Sequence, residues 1–203
     1  MIAIVDYGVG NLFSLSCSLQ SLGLDTVVTS DPKVIRNAER VILPGVGAFG
    51  DAVDKLRATG LDQTVLEEAA RGKPLLGICL GMQLLFEKGY EFGEHDGLGL
   101  LHGSVVPMQG AIPPELKIPQ MGWNALIRKR SHPLLKDVKE GDCVYFVHSF
   151  YAADCDDSLV ATTEYGKELT ALVAKDNVMG CQFHPEKSGN VGLKILRAFS
   201  AMT

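Results

Sequence analysis

The chain has 203 residues, 46% of them hydrophobic and 21% charged, which fits a globular protein with a sizeable core and excludes a disordered one. A net charge of −5 gives no basic footprint for nucleic acid, and the longest apolar stretch, around Leu75 to Phe86, is too short and glycine-rich to cross a bilayer. Five cysteines without a C-x-x-C pair argue against a disulfide framework or a zinc site, and the opening Met1-Ile2-Ala3-Ile4-Val5-Asp6 lacks a basic leader, so a cytoplasmic protein is expected.

Ile2 to Asp6 reads as a buried first strand, followed by the tight loop Tyr7-Gly8-Val9-Gly10-Asn11. Leu12 to Leu22 has helix-like apolar spacing and stops at Gly23. Asp25 to Thr29 is a second strand, and Asp31-Pro32 reads as an N-cap with proline at the first helical position. Arg40 to Leu43 is a third strand, running into Pro44-Gly45-Val46-Gly47. Two helical stretches, Phe49 to Thr59 and Leu61 to Arg71, precede the strand Pro74 to Ile78. This alternation predicts a parallel sheet with right-handed crossovers. The second half is strand-rich: Val105-Val106, Trp123 to Ile127, Cys143 to Val147, Leu159 to Thr163, Leu169 to Ala174 and Val178 to Phe183. Lys175-Asp176-Asn177 has the composition of a hairpin turn. Gly189 to Met202 closes the chain as an amphipathic helix. No repeat or linker breaks the pattern. Residues 1–203 are therefore expected to form one α/β domain, a parallel core with added antiparallel strands.

One segment carries a reactive pattern. Leu75-Leu76-Gly77-Ile78-Cys79-Leu80-Gly81-Met82-Gln83 is an apolar strand entering Gly-x-Cys-x-Gly and then a helix-like run. That is the spacing of a nucleophile elbow with sulfur in place of oxygen. A Cβ two residues to either side of Cys79 would strike the neighbouring strand or helix, which explains the glycines. The turn sets the thiol at a helix amino end, where the dipole and free N–H groups favour the thiolate. The plainer alternative is a buried structural cysteine.

A thiol nucleophile needs a base and an orienting partner for that base. His184, in Cys181-Gln182-Phe183-His184-Pro185-Glu186, stands past an apolar run at the carboxyl edge of a strand, where ligand chemistry gathers in α/β sheets. Glu186 is two residues on, in reach of the far imidazole nitrogen. His148, at the end of Tyr145-Phe146-Val147-His148, is a rival base. His95, His102 and His132 sit in loop-like sequence. For an oxyanion, the amide of Leu80 is one expected donor and the glycine-rich Gly45-Val46-Gly47 loop the second. The same loop begins Gly45-Val46-Gly47-Ala48-Phe49-Gly50, a G-x-G-x-x-G match. A dinucleotide site needs an acid at the end of a strand about 20 residues on, and Glu67-Glu68 falls in a helical run instead. No P-loop and no metal-ligand cluster is present, so no metal and no cofactor are expected.

Together these stretches resemble the class I (triad-type) glutamine amidotransferases over nearly the whole chain. The motifs that carry the resemblance are Gly77-Ile78-Cys79-Leu80-Gly81-Met82-Gln83 and Phe183-His184-Pro185-Glu186. Asp6-Tyr7-Gly8-Val9-Gly10-Asn11-Leu12, Leu43 to Phe49, Gln120-Met121-Gly122-Trp123-Asn124 and the ending Lys187-Ser188 are similar to the branch that serves histidine biosynthesis, the glutaminase subunits of imidazole glycerol phosphate synthase. The resemblance implies a flavodoxin-like fold with a central, mostly parallel sheet flanked by helices. It also implies that Cys79 attacks the side-chain amide of glutamine, that His184 protonates the departing ammonia, and that Glu186 orients His184. Gln83, Ser149 and Phe150 would hold the glutamine. Ammonia would pass within a heterodimer to a (β/α)8 cyclase subunit, which forms imidazole glycerol phosphate and AICAR. Asn11, Met121, Trp123, Tyr145 and Lys187 match positions expected at that interface or near the ammonia passage. Phe150 departs from the tyrosine often found there, which a backbone contact would survive. Trp123 has core packing as its alternative role, and Lys187 a solvated charge.

A hydrolytic site without an acceptor site of its own suggests conditional activity. A peptide flip in Gly45-Val46-Gly47 is the expected switch, because glycine turns at low steric cost. The competing readings are a glutaminase for another synthase such as that of pyridoxal phosphate, a cysteine peptidase or γ-glutamyl hydrolase, and an inactive binding subunit.

Overall fold

The computed structural model describes residues 1–203. In chain order the elements are β1 (Ile2–Val5), α1 (Leu12–Ser21), β2 (Thr26–Thr29), α2 (Pro32–Asn37), β3 (Arg40–Gly45), α3 (Phe49–Ala58), α4 (Leu61–Ala70), β4 (Leu75–Cys79) and α5 (Leu80–Gln83). There follow β5 (Phe86–Gly89), β6 (His95–Asp96), β7 (Leu101–Pro107), β8 (Gln120–Ala125), β9 (Ile127–Arg128), β10 (Cys143–His148), β11 (Phe150–Ala153), β12 (Leu159–Glu164), β13 (Glu168–Lys175), β14 (Val178–Cys181) and α6 (Gly189–Ser200).

The main sheet has eight strands in the order β2-β1-β3-β4-β14-β13-β12-β9. The pairs β1–β2, β1–β3, β3–β4 and β4–β14 are parallel, and the remaining neighbours are antiparallel. Strands β1, β4 and β14 are buried along their whole length, as expected where helices cover both faces. Their alternate residues feed two cores. Ile2, Ile4, Leu76 and Ile78 pack with Leu15 and Leu19 of α1 and Ile195, Leu196 and Phe199 of α6. Ala3, Val5, Val41, Leu43 and Leu75 pack with Phe49, Val53 and Leu56 of α3 and Leu61 and Val65 of α4. The molecule is therefore an α/β/α sandwich of the expected class. A four-stranded sheet, β11-β7-β5-β6, and a two-stranded ribbon, β10-β8, are added to it.

Local rules hold where they were strongest. Asp31 Oδ1 accepts from the Lys33 amide at 2.8 Å and caps α2. β13 and β14 form the hairpin expected around Asp176. Three expectations change. The stretch Trp123 to Ile127 is two strands broken at Leu126, and β14 stops at Cys181 rather than Phe183. The helix after the elbow is a single turn, because Leu98, Leu100 and Leu101 bond the Leu84 and Leu85 carbonyls and draw the chain into β5. One turn supplies free N–H groups but little of the dipole invoked from sequence. No helix is long and apolar enough to cross a membrane.

Candidate active site

Cys79 is the last residue of β4, with φ 55° and ψ −112°, a left-handed conformation that a side chain rarely adopts. Strain of this kind persists only where the surroundings enforce it. They do so here through three missing side chains. A Cβ on Gly81 would lie 1.8 Å from Leu43 O, and one on Gly77 would lie 2.7 Å from Gly81 O and Met82 N. A Cβ on Gly45, which pairs with Cys79 across β3 and β4, would lie 2.8 Å from Gly81 N. The elbow is thus packed backbone on backbone.

His184 follows β14 by three residues and is held by β10. Its amide donates to Tyr145 O at 2.9 Å, while Ser188 Oγ donates to His184 O at 2.6 Å and accepts from the Tyr145 amide at 2.9 Å. The Pro185–Lys187 turn brings Glu186 back, and Glu186 Oε1 lies 2.8 Å from His184 Nδ1. Both side chains are buried. Burial opposes charge on the imidazole, but hydrogen bonds to Cys79 and Glu186, with their charges, overcome it and push the His184 pKa up to about 10. Near neutrality the ring is an imidazolium, set between a sulfur and a carboxylate.

His148, the rival base, is engaged elsewhere. Its Nδ1 donates to Phe150 O at 2.8 Å, and its Nε2 lies 2.9 Å from the Gln120 side-chain amide, from whose NH2 it accepts in the neutral ring. Burial lowers its pKa to about 4, so it is neutral.

A cavity of about 300 Å³ opens over the elbow, at the small end of ligand sites. Cys79, His184, Leu80, Gln83, Val46, Gly47, Ser149 and Phe150 line it, whereas Gly45, at the end of β3, and Glu186 do not. Val46 and Gly47 form the exposed crest of the loop, and Gly47 has φ 95°. The loop base is fixed by Tyr7, whose buried hydroxyl donates to Pro44 O at 2.7 Å. Burial, and then Cys79 nearby, raise the Tyr7 pKa well above the tyrosine range, so the donor is permanent.

Phe150 O accepts from Gln83 Nε2 at 3.1 Å and stands 2.8 Å from His148 Nδ1, so both of its lone pairs are committed. The dinucleotide alternative meets an obstacle, since the α3 amino end is capped by Glu91, whose Oε2 accepts from the Phe49 amide at 2.8 Å.

Glu91, Pro119 and Val147 line the cavity too, and Gln182 approaches Cys79 from within the core; sequence reasoning missed all four. Only Gln182 left a signal, as a polar residue interrupting the apolar run Val178 to Phe183. Of the positions expected at an interface, Met121 and Trp123 are 64% and 62% exposed. Trp123 stacks edge-on against Tyr145 at 4.8 Å, and Lys187 Nζ sits 5.8 Å from the Tyr145 ring centre. This removes core packing as the role of Trp123. Asn11 precedes α1 without a side-chain cap bond.

A strained cysteine at a strand end, a paired histidine and carboxylate, and a small-molecule cavity define a thiol-dependent amidase class on an α/β sheet. Residues 3–201 match the family described as glutamine amidotransferase class-I. The chain is 52% identical over 203 residues to a HisH subunit of imidazole glycerol phosphate synthase from Caldanaerobacter subterraneus, covering 100% of this chain and 98% of that one. It is 51% identical over 199 residues to the HisH subunit from Lactococcus lactis, covering 98% and 96%. Two solved structures share the fold: a glutamine amidotransferase (TM-score 0.76, 18% identity, 99% and 100% covered) and PurLQS from Thermotoga maritima (0.74, 22%, 98% and 96%). The chain belongs to the class-I glutamine amidotransferase family, in the branch formed by the HisH subunits.

Proposed function

We propose that this chain, as one amidotransferase domain over residues 1–203, is the glutaminase subunit of an imidazole glycerol phosphate synthase, with Cys79, His184 and Glu186 as its triad. The observation that carries the reading is the buried His184–Glu186 pair at 2.8 Å, with His184 lining the same cavity as the strained Cys79. Cys79 Sγ adds to Cδ of glutamine, and His184 gives its proton to the amide nitrogen as the C–N bond breaks. Ammonia leaves behind a γ-glutamyl thioester. The neutral His184 then takes a proton from water as the water adds, and the C–S bond breaks to give glutamate and the Cys79 thiolate beside a reprotonated His184, the pair that began the cycle.

Leu80 and the Gly45-Val46-Gly47 loop supply the oxyanion N–H groups in this reading, with a peptide flip in the loop as the on-switch. Glu91 keeps one carboxylate oxygen unused by Phe49, which suits the α-ammonium of glutamine. Gln83 spends both amide hydrogens within the protein, so its oxygen is what it offers a substrate.

The partner is a (β/α)8 cyclase subunit, joined as a heterodimer in the cytoplasm. It docks on the open face of the β8–β10 ribbon, where Met121, Trp123, Tyr145 and Lys187 gather, with Asn11 at the ammonia passage. Exposed aromatic area of this kind is typical of docking surfaces. A glutaminase assay on the free chain and on the chain with cyclase and its acceptor tests the reading. Turnover is expected only in the complex and is lost in Cys79→Ala. Equal turnover by the free chain refutes the conditional part, and turnover by Cys79→Ala refutes the triad.

A further inference from the structure

Gln182 is fully buried one residue before Phe183-His184, and the chemistry above gives it no task. Its amide bridges the nucleophile and Gln83. Gln83 Nε2 donates to Gln182 Oε1 at 3.0 Å, and Gln182 Nε2 lies 3.8 Å from Cys79 Sγ. The polarity of this chain of amides is forced. A backbone carbonyl only accepts, so the Gln83 atom 3.1 Å from Phe150 O is nitrogen. That nitrogen spends its second hydrogen on Gln182, so the atom it meets there is oxygen. The remaining Gln182 terminus is therefore NH2, directed at sulfur. A buried N–H without an acceptor is destabilising, and Sγ is the acceptor this one has.

We propose that Gln182 is a further catalytic residue, which holds Cys79 Sγ by an amide hydrogen bond that strengthens when the sulfur is a thiolate. A donor to an ionised acceptor is about twice as strong as one to a neutral acceptor. An amide yields no proton at these pH values, so Gln182 aims and stabilises the sulfur without competing with His184 for proton transfer. The network also fixes the sulfur against the cavity wall, since Phe150 O anchors its far end.

The inference rests on Cys79 being the nucleophile, and the test separates the two claims. The complex is assembled with Gln182→Glu, which keeps the acceptor for Gln83 but replaces the donor to sulfur, and with Gln182→Met, which keeps the volume alone. Expected are a kcat at least about tenfold lower with KM for glutamine changed less than about threefold, and iodoacetamide alkylation of Cys79 shifted to higher pH. Variants that melt like the wild type and keep both kcat and the alkylation profile overturn the proposal. A structural role alone would lower the melting temperature and leave the alkylation profile in place. Should neither variant fold, the side-chain amide resonance of Gln182 in 15N-labelled wild-type protein is followed across pH. It is expected to move with the titration of Cys79 and to stop doing so in Cys79→Ala; a resonance indifferent to Cys79 overturns the proposal. If Cys79→Ala still turns over glutamine, the nucleophile assignment fails first. If Cys79→Ala is inert and the Gln182 variants are normal, only this inference fails.

Discussion

Tyr7→Phe removes one oxygen atom and no volume, and the structure says what that oxygen does. The hydroxyl is buried and donates at 2.7 Å to Pro44 O, at the root of the loop that crests at Val46 and Gly47. Pro44 has no N–H of its own, so its carbonyl is the polar contact available to that residue. Losing a buried donor and stranding its acceptor costs about 1–3 kcal/mol, or about 2–12 °C in melting temperature for a chain of this size at about 2–4 °C per kcal/mol. Urea unfolding of the free chain measures the first quantity and calorimetry the second. The same loss unpins the Pro44–Gly45 peptide, so kcat of the complex is expected to fall more than KM rises. A control sharpens the attribution. Gly45→Ala would place a Cβ 2.8 Å from both Tyr7 Oη and Gly81 N. Because the Gly81 contact is backbone, Tyr7→Phe is not expected to rescue Gly45→Ala. A cost below about 0.5 kcal/mol for Tyr7→Phe, which is the range of neutral surface changes, refutes the role of the hydroxyl as a clamp.

Three further outcomes follow from the same geometry. Gly81→Ala would put a Cβ 1.8 Å from Leu43 O and is expected to abolish soluble folded protein, whereas Gly72→Ala, with φ 85° and open space, should cost only about 1–2 kcal/mol by urea titration. Glu186→Gln removes a carboxylate that supports the imidazolium, so the His184 NMR titration should move down from about 10 and kcat fall at least about tenfold with KM little changed. His148 has a folded pKa of about 4 against an unfolded value near 6.5, so the unfolded chain takes up its proton first as pH falls. The stability it secures is complete above about pH 6.5 and drains towards pH 4, reaching a loss of about 2 kcal/mol by pH 5. The destabilisation caused by His148→Gln, measured by urea unfolding, should therefore shrink by about that amount between pH 7.5 and 5; a constant difference contradicts the buried neutral ring.

The parts of this fold that were legible in the sequence are those whose cause is local. Gly77, Cys79 and Gly81 announce the elbow because its motif falls within five residues, even though the atom that Gly81 must clear, Leu43 O, lies on β3; Asp31 announces a cap because its carboxylate bonds two residues on. Histidine and carboxylate two residues apart across a proline are legible for the same reason. Strands β5, β6 and β11 were not, since they have four or fewer residues; β11 takes its conformation from Pro107 to Ser104, more than 40 residues earlier, and β6 is an edge of two residues. The end of the helix after Cys79 was not legible because distant amides, those of Leu98, Leu100 and Leu101, decide it. Glu91 reaches the cavity from a loop, by a bond to Phe49 that spans 42 residues, and no pattern of spacing encodes that.

The β8–β10 ribbon carries both the exposed face proposed for docking and part of the cavity lining. Side chains alternate across a strand, so neighbouring residues serve opposite faces. Tyr145 pairs with Trp123 and Val147 with Met121 on the open face, and Val147 also lines the cavity. The next pair, His148 and Gln120, is buried, and His148 approaches the Phe150 carbonyl that holds Gln83. A partner resting on Met121 and Trp123 therefore bears on a strand one residue away from the hydrogen bonds that run through Gln83 and Gln182 to Cys79. The path is a run of directional bonds with no flexible segment in it.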